Sequence, residues 1–304
     1  MDHLQFIVPI FNFNYIGENK SSNDMWMKSD FHENLKSILI DSENDIGLTK
    51  FDSLYNCNTR EIDYFSKQDF TNISLVTWAF QFSCSPAELE IFQVKLNLLL
   101  LAFRISKHSD LSIKYIICKD APHLSIRYSD DWKYAFAEKH PKRKLDELNS
   151  IDLNIVISSY KKVVDFFNFT FRTRHAVDFL FLAYTAYNWK AAYILFMTSL
   201  ETLISPPTED QITSHIIKRT RKLINDSKIC SKKTINALYE LRSNIIHGRV
   251  LYDLNINNHL DDLVRLQKIV LKSFEIILEK DFKSIYKNED SKEKFYNQIT
   301  ELNH

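Results

Sequence analysis

Residues 176–204 read AVDFLFLAYTAYN and then, without a break, WKAAYILFMTSLETLI, two stretches apolar on nearly every side. A helix with no polar face must be enclosed by other helices or by lipid. A membrane span runs to about 20 apolar residues with few or no charges, and Asn188 and Lys190 interrupt the run FLFLAYTAYNWKAAYILFM. The segment therefore predicts two central helices of a soluble bundle and no membrane span.

The neighbouring sequence supplies helices to cover that pair. IVISSYKKVVDFFNF (155–169), QITSHIIKRTRKLIN (211–225) and KKTINALYELRSNIIH (232–247) carry helical patterns. A last helix starts near Leu260, with Leu263, Leu266, Val270, Phe274 and Ile277 at three- and four-residue steps. SPPTED breaks the chain after residue 204, with Thr208 as a cap for the next helix. Short connections between helices predict antiparallel neighbours, hence a bundle. The residues after 285 are polar and predict a frayed tail.

The first half is different. LQFIVPIFNFNYI (4–16), LSIKYIIC (111–118) and HLSIRY (123–128) are rich in β-branched and aromatic residues, as strands are. Val76, Trp78, Phe80 and Phe82 alternate with smaller or polar neighbours, the period of a half-buried strand. Those aromatics on one face suit a core better than a platform for stacked bases. Ser85, Pro86 and Glu88 then form the start signal of a helix that runs to about residue 106. The charged stretch KHPKRKLDELNSID (139–152) separates the halves. The expected architecture is a strand-rich α+β N-terminal domain (1–145), an all-α bundle (153–285) and a polar tail (286–304).

Thirty-nine basic and thirty-nine acidic residues cancel, so net charge points to no class of partner. The distribution does more: residues 209–249 hold nine Lys/Arg against four acids, a local basic patch of the kind that attracts phosphate groups. The four cysteines stand far apart with no Cys-x-x-Cys, which predicts no metal site and fits a reducing cytoplasm. The N-terminus lacks the basic region of a secretory signal. No nucleotide-binding, zinc-protease or serine-hydrolase motif occurs.

LRSNIIHGR (241–249) is the sharpest local feature. With Ile235 at zero on a wheel of about 100° per residue, Leu238, Leu241 and Ile245 form an apolar stripe, and Arg242 falls inside it at about 340°. A charge there needs a partner, and Glu201 on the preceding apolar helix is the natural counter-ion. His247 lies off the stripe in the last turn. Gly248, one of only three glycines, fits the left-handed residue that closes a helix. The bare Arg-x4–6-His spacing has no weight: eleven arginines and ten histidines give about one such pair by chance, and the chain has one.

The setting has more weight. MTSLETLI (197–204), SHIIKRTRKLI (214–224) and ALYELRSNIIHG (237–248), followed by one more amphipathic helix, resemble the HEPN superfamily, specifically its Apea-like branch, over residues 176–280. The resemblance implies a helical bundle that dimerises and a metal-independent endoribonuclease without cofactor. It puts Arg242 and His247 in the two catalytic positions, with Ser243, Glu201, Tyr239 and Asn244 in support. Lys218, Arg219, Arg221, Lys222 and Arg249 would hold RNA. Such residues suit 2′-hydroxyl attack on the adjacent phosphorus, leaving a 2′,3′-cyclic phosphate: a histidine titrates near neutrality, and a forked guanidinium binds the phosphate. The expected setting is a toxin or phage-defence effector with an antitoxin or trigger molecule. The alternative within the same resemblance is a non-catalytic dimerisation or nucleotide- or RNA-binding module.

Overall fold

A computed structural model of the chain describes residues 4–11, 13–17, 38–41, 46–51, 65, 71, 73, 76–107, 112–127, 146–186, 188–205, 212–250 and 256–301. Thr208 lies outside the described residues. Among those described, one compact unit falls within residues 1–160 and a second within 161–304.

The first unit is built on an antiparallel sheet. Its strands are β1 (Leu4–Phe11), β3 (Ile38–Asp41), β4 (Ile46–Lys50), β5 (Trp78–Cys84), β6 (Ser112–Ile113), β7 (Tyr115–Cys118) and β8 (Ile126–Arg127). The order is β3-β4-β5-β1-β7-β8, with β6 also paired to β1. On one face, helix α1 (Leu89–Lys107) packs its rings on those of the strands: Phe92 stacks on Phe82 at 4.7 Å, Phe82 stacks on its cross-strand neighbour Phe6 at 5.2 Å, and Phe103 meets Phe80 at 6.0 Å. On the other face Ile7, Ala79, Tyr115 and Ile117 bury against Phe51, Phe65, Ile73 and Val76. Covering both faces removes the polar half of the alternation, which is why YIIC is buried at every position. Trp78, Phe80 and Phe82 are buried and form core rather than a surface for bases.

Two local expectations change. The single strand expected over 4–16 is two: β1 joins the large sheet, while β2 (Phe13–Gly17) pairs in parallel with β9 (Asp146–Asn149), inside the stretch expected to be a linker. The helix start at Ser85 is a 3-10 turn, Pro86–Glu88. There the Glu88 carboxylate accepts both the Ser85 N–H (3.0 Å) and the Ser85 hydroxyl (2.7 Å).

The second unit is helical. Helix α2 (Ser150–Phe169) enters it, followed by α3 (Phe171–Thr185), α4 (Trp189–Ile204), α5 (Ile212–Ile224), α6 (Lys232–Ile246), α7 (Ile256–Glu279), α8 (Phe282–Ile285) and α9 (Glu289–Glu301). Side-chain caps fix several starts. The Thr170 hydroxyl, the Asn188 amide oxygen and the Ser231 hydroxyl each accept the N–H three residues on, of Thr173, Ala191 and Thr234. The helices α3 and α4 pack closely because small residues meet: the Ser199 hydroxyl donates to the Ala176 carbonyl at 2.6 Å, both fully buried.

The expected polar tail is a helix. Tyr286, Lys292 and Tyr296 are buried, and their segment closes the C-terminal end of α4. There the Ser205 N–H reaches the Glu201 carbonyl, Arg172 Nη1 the Thr202 carbonyl (3.3 Å), the Tyr286 hydroxyl the Leu203 carbonyl (2.9 Å) and Arg219 Nη1 the Ile204 carbonyl (3.2 Å). Arg219 also pairs with Glu293 and lies over the Tyr296 ring, and Arg172 pairs with Glu289 at 3.0 Å. The polarity of 286–304 hid this role, because charged residues that contact a helix end look like a solvated tail.

Glu293→Ala leaves the buried Arg219 guanidinium without its carboxylate, and breaking such a pair costs about 3 kcal/mol; urea unfolding of the variant should show that loss. Lys292 gives a pH signature. Burial pushes its ammonium down to about 8, against the attraction of Glu289 and with the repulsion of Arg172 and Arg219. Above pH 8 the unfolded chain holds the proton that the folded chain has released, so this residue adds stability as pH rises, by up to about 1.4 kcal/mol per unit, until the unfolded lysine also titrates. The buried thiols Cys84 and Cys230, raised to about 11 and about 12 mainly by burial, act in the opposite sense above about pH 9. The readout is therefore the difference between the wild type and Lys292→Met, which should widen in favour of the wild type from pH 8 to pH 10.

Candidate functional site

Helix α6 is held against α4 by polar contacts. The buried Tyr193 hydroxyl donates to the Leu238 carbonyl at 2.8 Å. Arg242 Nη2 donates to Glu201 Oε2 at 3.1 Å, so the charge on the apolar stripe has the counter-ion its position requires. Ile235, Leu238, Tyr239 and Leu241 form the buried face, while Ile246, at the edge of the expected stripe, is 52 % exposed. The Tyr239 hydroxyl is turned to the same carboxylate without a well-directed hydrogen bond. Burial raises the Glu201 carboxyl, an effect that Arg242 and Tyr239 oppose. Burial and the Glu201 charge hold the Tyr239 phenol well above its ordinary range.

Arg242 is anchored but under-used. Its side chain is 31 % exposed, one N–H is committed to Glu201, and its buried Nε has no acceptor. A guanidinium carries five donors in a fork suited to phosphate. The unused ones give it capacity for an anion.

The end of α6 is closed by a Schellman motif. The Gly248 N–H reaches the Ile245 carbonyl at 3.1 Å, and the Arg249 N–H reaches the Asn244 carbonyl at 2.8 Å. This needs a left-handed residue, and Gly248 has φ +67°. His247 is the helix C-cap, donating its N–H to the Ser243 carbonyl at 3.0 Å. His247, Gly248 and Arg249 are exposed, and Ser243 and Asn244 half-buried. Just beyond, Lys190 Nζ donates to the Val250 carbonyl at 2.9 Å, and the neighbouring Trp189 stacks on His259 at 4.9 Å. Lys190, met in the sequence only as an interruption of an apolar run, thus ties the chain after the motif to the first turn of α4. Its signal is a lone charge at the start of an otherwise apolar helix.

No hydrogen bond joins Arg242 to His247. Helix α6 is regular to Ile246, and five residues along such a helix give about 7.5 Å of rise and about 140° of rotation. The arginine therefore turns toward Glu201 while the histidine turns to solvent. Of the basic set, Lys218, Arg221 and Arg249 are exposed and Lys222 is half-buried, its ammonium lowered by desolvation and by Lys218 and Arg221. Arg219 does not belong with them: its ion pair with Glu293 and its bond to the Ile204 carbonyl turn it inward, and it is 5 % exposed.

Among the described residues no three His, Cys, Asp or Glu side chains are placed to hold a metal ion, and no helix is long and apolar enough to cross a membrane. Comparison of the chain with protein-family models, curated proteins and solved structures finds no match.

Nothing lies within 4 Å of a Cβ added at Gly248. Gly248→Ala therefore meets no clash, only the left-handed backbone cost of about 1–2 kcal/mol. Thermal unfolding should show that loss for Ala, and a smaller one for Gly248→Asn, which tolerates this conformation.

Proposed function

We propose that the helical unit is a HEPN-type endoribonuclease that works as a homodimer without metal or cofactor. The observation that carries this reading is Arg242, a guanidinium fixed by Glu201 with donors to spare, on the helix whose capped end exposes His247. In the proposed reaction His247 takes the proton of a 2′-hydroxyl, and the resulting oxygen attacks the adjacent phosphorus. Arg242 offsets the charge that gathers on the phosphate oxygens. The bond from phosphorus to the 5′-oxygen breaks, a proton returns to that oxygen, and the products are a 2′,3′-cyclic phosphate and a 5′-hydroxyl. Since the two side chains diverge within one chain, the site is completed across a two-fold axis, where His247 of the partner subunit supplies the acid. Ser243, Asn244 and Tyr239 support the pair, and Lys218, Arg221, Lys222 and Arg249 attract the substrate. Such an enzyme acts in the cytoplasm as a toxin or phage-defence effector under the control of an antitoxin or trigger.

The Arg242–Glu201 bond also suits a non-catalytic HEPN module, in which the pair only ties α6 to α4. Purified protein incubated with total RNA in EDTA separates the two. The nuclease reading expects cyclic-phosphate ends, with rates lowered about 10²- to 10⁴-fold in His247→Ala and about 10²- to 10³-fold in Arg242→Ala. Cleavage that persists in both variants, or intact RNA together with an Arg242→Ala variant that only melts earlier, favours the structural tie instead.

A further inference from the structure

The other end of α6 carries a feature that the motif does not explain. Between residues 218 and 233 the chain has Lys218, Arg219, Arg221, Lys222, Lys228, Lys232 and Lys233 against one acid, Asp226. Arg219 is turned inward. Lys218, Arg221, Lys228, Lys232 and Lys233 are exposed and form no ion pair among the described residues. Asp226 is engaged in the turn itself, where its carboxylate accepts the Lys228 N–H at 2.8 Å. These cations flank one short turn: α5 ends at Ile224 and α6 starts at Lys232, and the Asp226 carbonyl draws Cys230 back at 2.8 Å.

Helix polarity sharpens the point. Lys232 and Lys233 occupy the first turn of α6, which has no acid. The N-terminal end of a helix is its positive end, where cations are disfavoured. Arg221 and Lys222, in the last turn of α5, are explained by the dipole, but Lys232 and Lys233 oppose it. A phosphate lying across the turn offsets both the dipole mismatch and the mutual repulsion. The turn is also stiff: Asn225 is left-handed at φ 47° and donates to the Arg221 carbonyl, the Asp226 carbonyl accepts the Ile229 and Cys230 N–H groups, and Cys230 is buried. The cations are therefore presented on a preformed frame.

We propose that the α5–α6 turn, through Lys228, Lys232 and Lys233 together with Arg221, binds the phosphodiester backbone of RNA at a surface separate from Arg242 and His247. Along helix α6, Lys232 lies about 15 Å from Arg242 and about 22 Å from His247. The surface holds whether or not the far end of α6 is catalytic; the choice of RNA among polyanions rests on the nuclease reading. A lipid surface fits less well, because no exposed large apolar side chain of the described residues falls within 212–233, whereas interfacial helices insert such residues.

The test is binding, in full-length protein carrying His247→Ala so that RNA survives. A fluorescein-labelled oligouridylate of about 20 nucleotides is titrated by anisotropy from about 50 to about 200 mM salt. Adding Lys228→Gln, Lys232→Gln and Lys233→Gln together should weaken binding about 10-fold at mid-range and reduce the slope of log affinity against log salt by about 2, since each lost phosphate contact removes about 0.7. The triple variant should melt no lower than its parent, because it removes cations from the positive end of a helix. Unchanged affinity and slope overturn the proposal, as does loss of binding to phosphatidylserine vesicles with RNA binding intact. RNA binding without cleavage by the wild type sinks the nuclease reading and leaves this surface standing, whereas cleavage with RNA binding unmoved by the triple substitution does the reverse.

Discussion

The closing of the C-terminal end of α4 is the contact on which the second unit depends. The last four carbonyls of any helix lack partners inside it, and a buried carbonyl left unpaired costs free energy comparable to a lost hydrogen bond. Helix α4 is so apolar, and so deeply placed, that water cannot serve all of its last turn: Leu203 and Ile204 are fully buried. The helix's own C-cap, the Ser205 N–H, serves the Glu201 carbonyl, and three groups from other places answer the rest, namely Arg172, Tyr286 and Arg219. Two are cations at the negative end of the helix dipole, where charge is favoured. Each cation in turn needs an anion, and Glu289 and Glu293 of α9 supply them.

The consequence reaches the candidate site through one residue. Glu201 begins the turn that this cluster closes, its carbonyl accepting Ser205 and its carboxylate accepting Arg242. The same turn therefore anchors α9 through its backbone and α6 through a side chain. Arg242 is positioned only as firmly as that turn is, so the last helix of the chain takes part in setting the arginine without touching it. At the opposite end of α4, Lys190 holds the Val250 carbonyl. The motif segment is thus pinned on both sides of Gly248 by one central helix.

Local signals made much of this legible from sequence. The limits of α4 follow from a 16-residue apolar run and the SPPTED break after it, while the Asn188 cap is seen only in the structure. The closure of α6 follows from a glycine in a chain that hardly uses glycine, and the Arg242–Glu201 pair from a charge on an apolar stripe. The features that stayed hidden depend on distant partners. The Tyr286 hydroxyl meets a carbonyl 83 residues away, and nothing in a polar segment announces that. In KRTRK, four cations look alike, and only the position of Glu293 and the Ile204 carbonyl picks out Arg219 for burial. Strand β9 escaped because a short charged stretch pairs through its backbone with β2, whatever its side chains.

Helix α6 then presents two different chemistries at its two ends, and geometry keeps them apart. Its first turn collects cations against the helix dipole. Its last turn exposes a histidine, beyond an arginine already neutralised in part by Glu201. One end carries excess positive charge, and the other a single exposed imidazole and a half-committed guanidinium. Because about 140° separates Arg242 from His247 around the helix, one copy offers the two groups to different directions. In the dimer proposed above, a two-fold axis near the end of α6 would set the arginine of each copy beside the histidine of the other and cover the exposed Ile246.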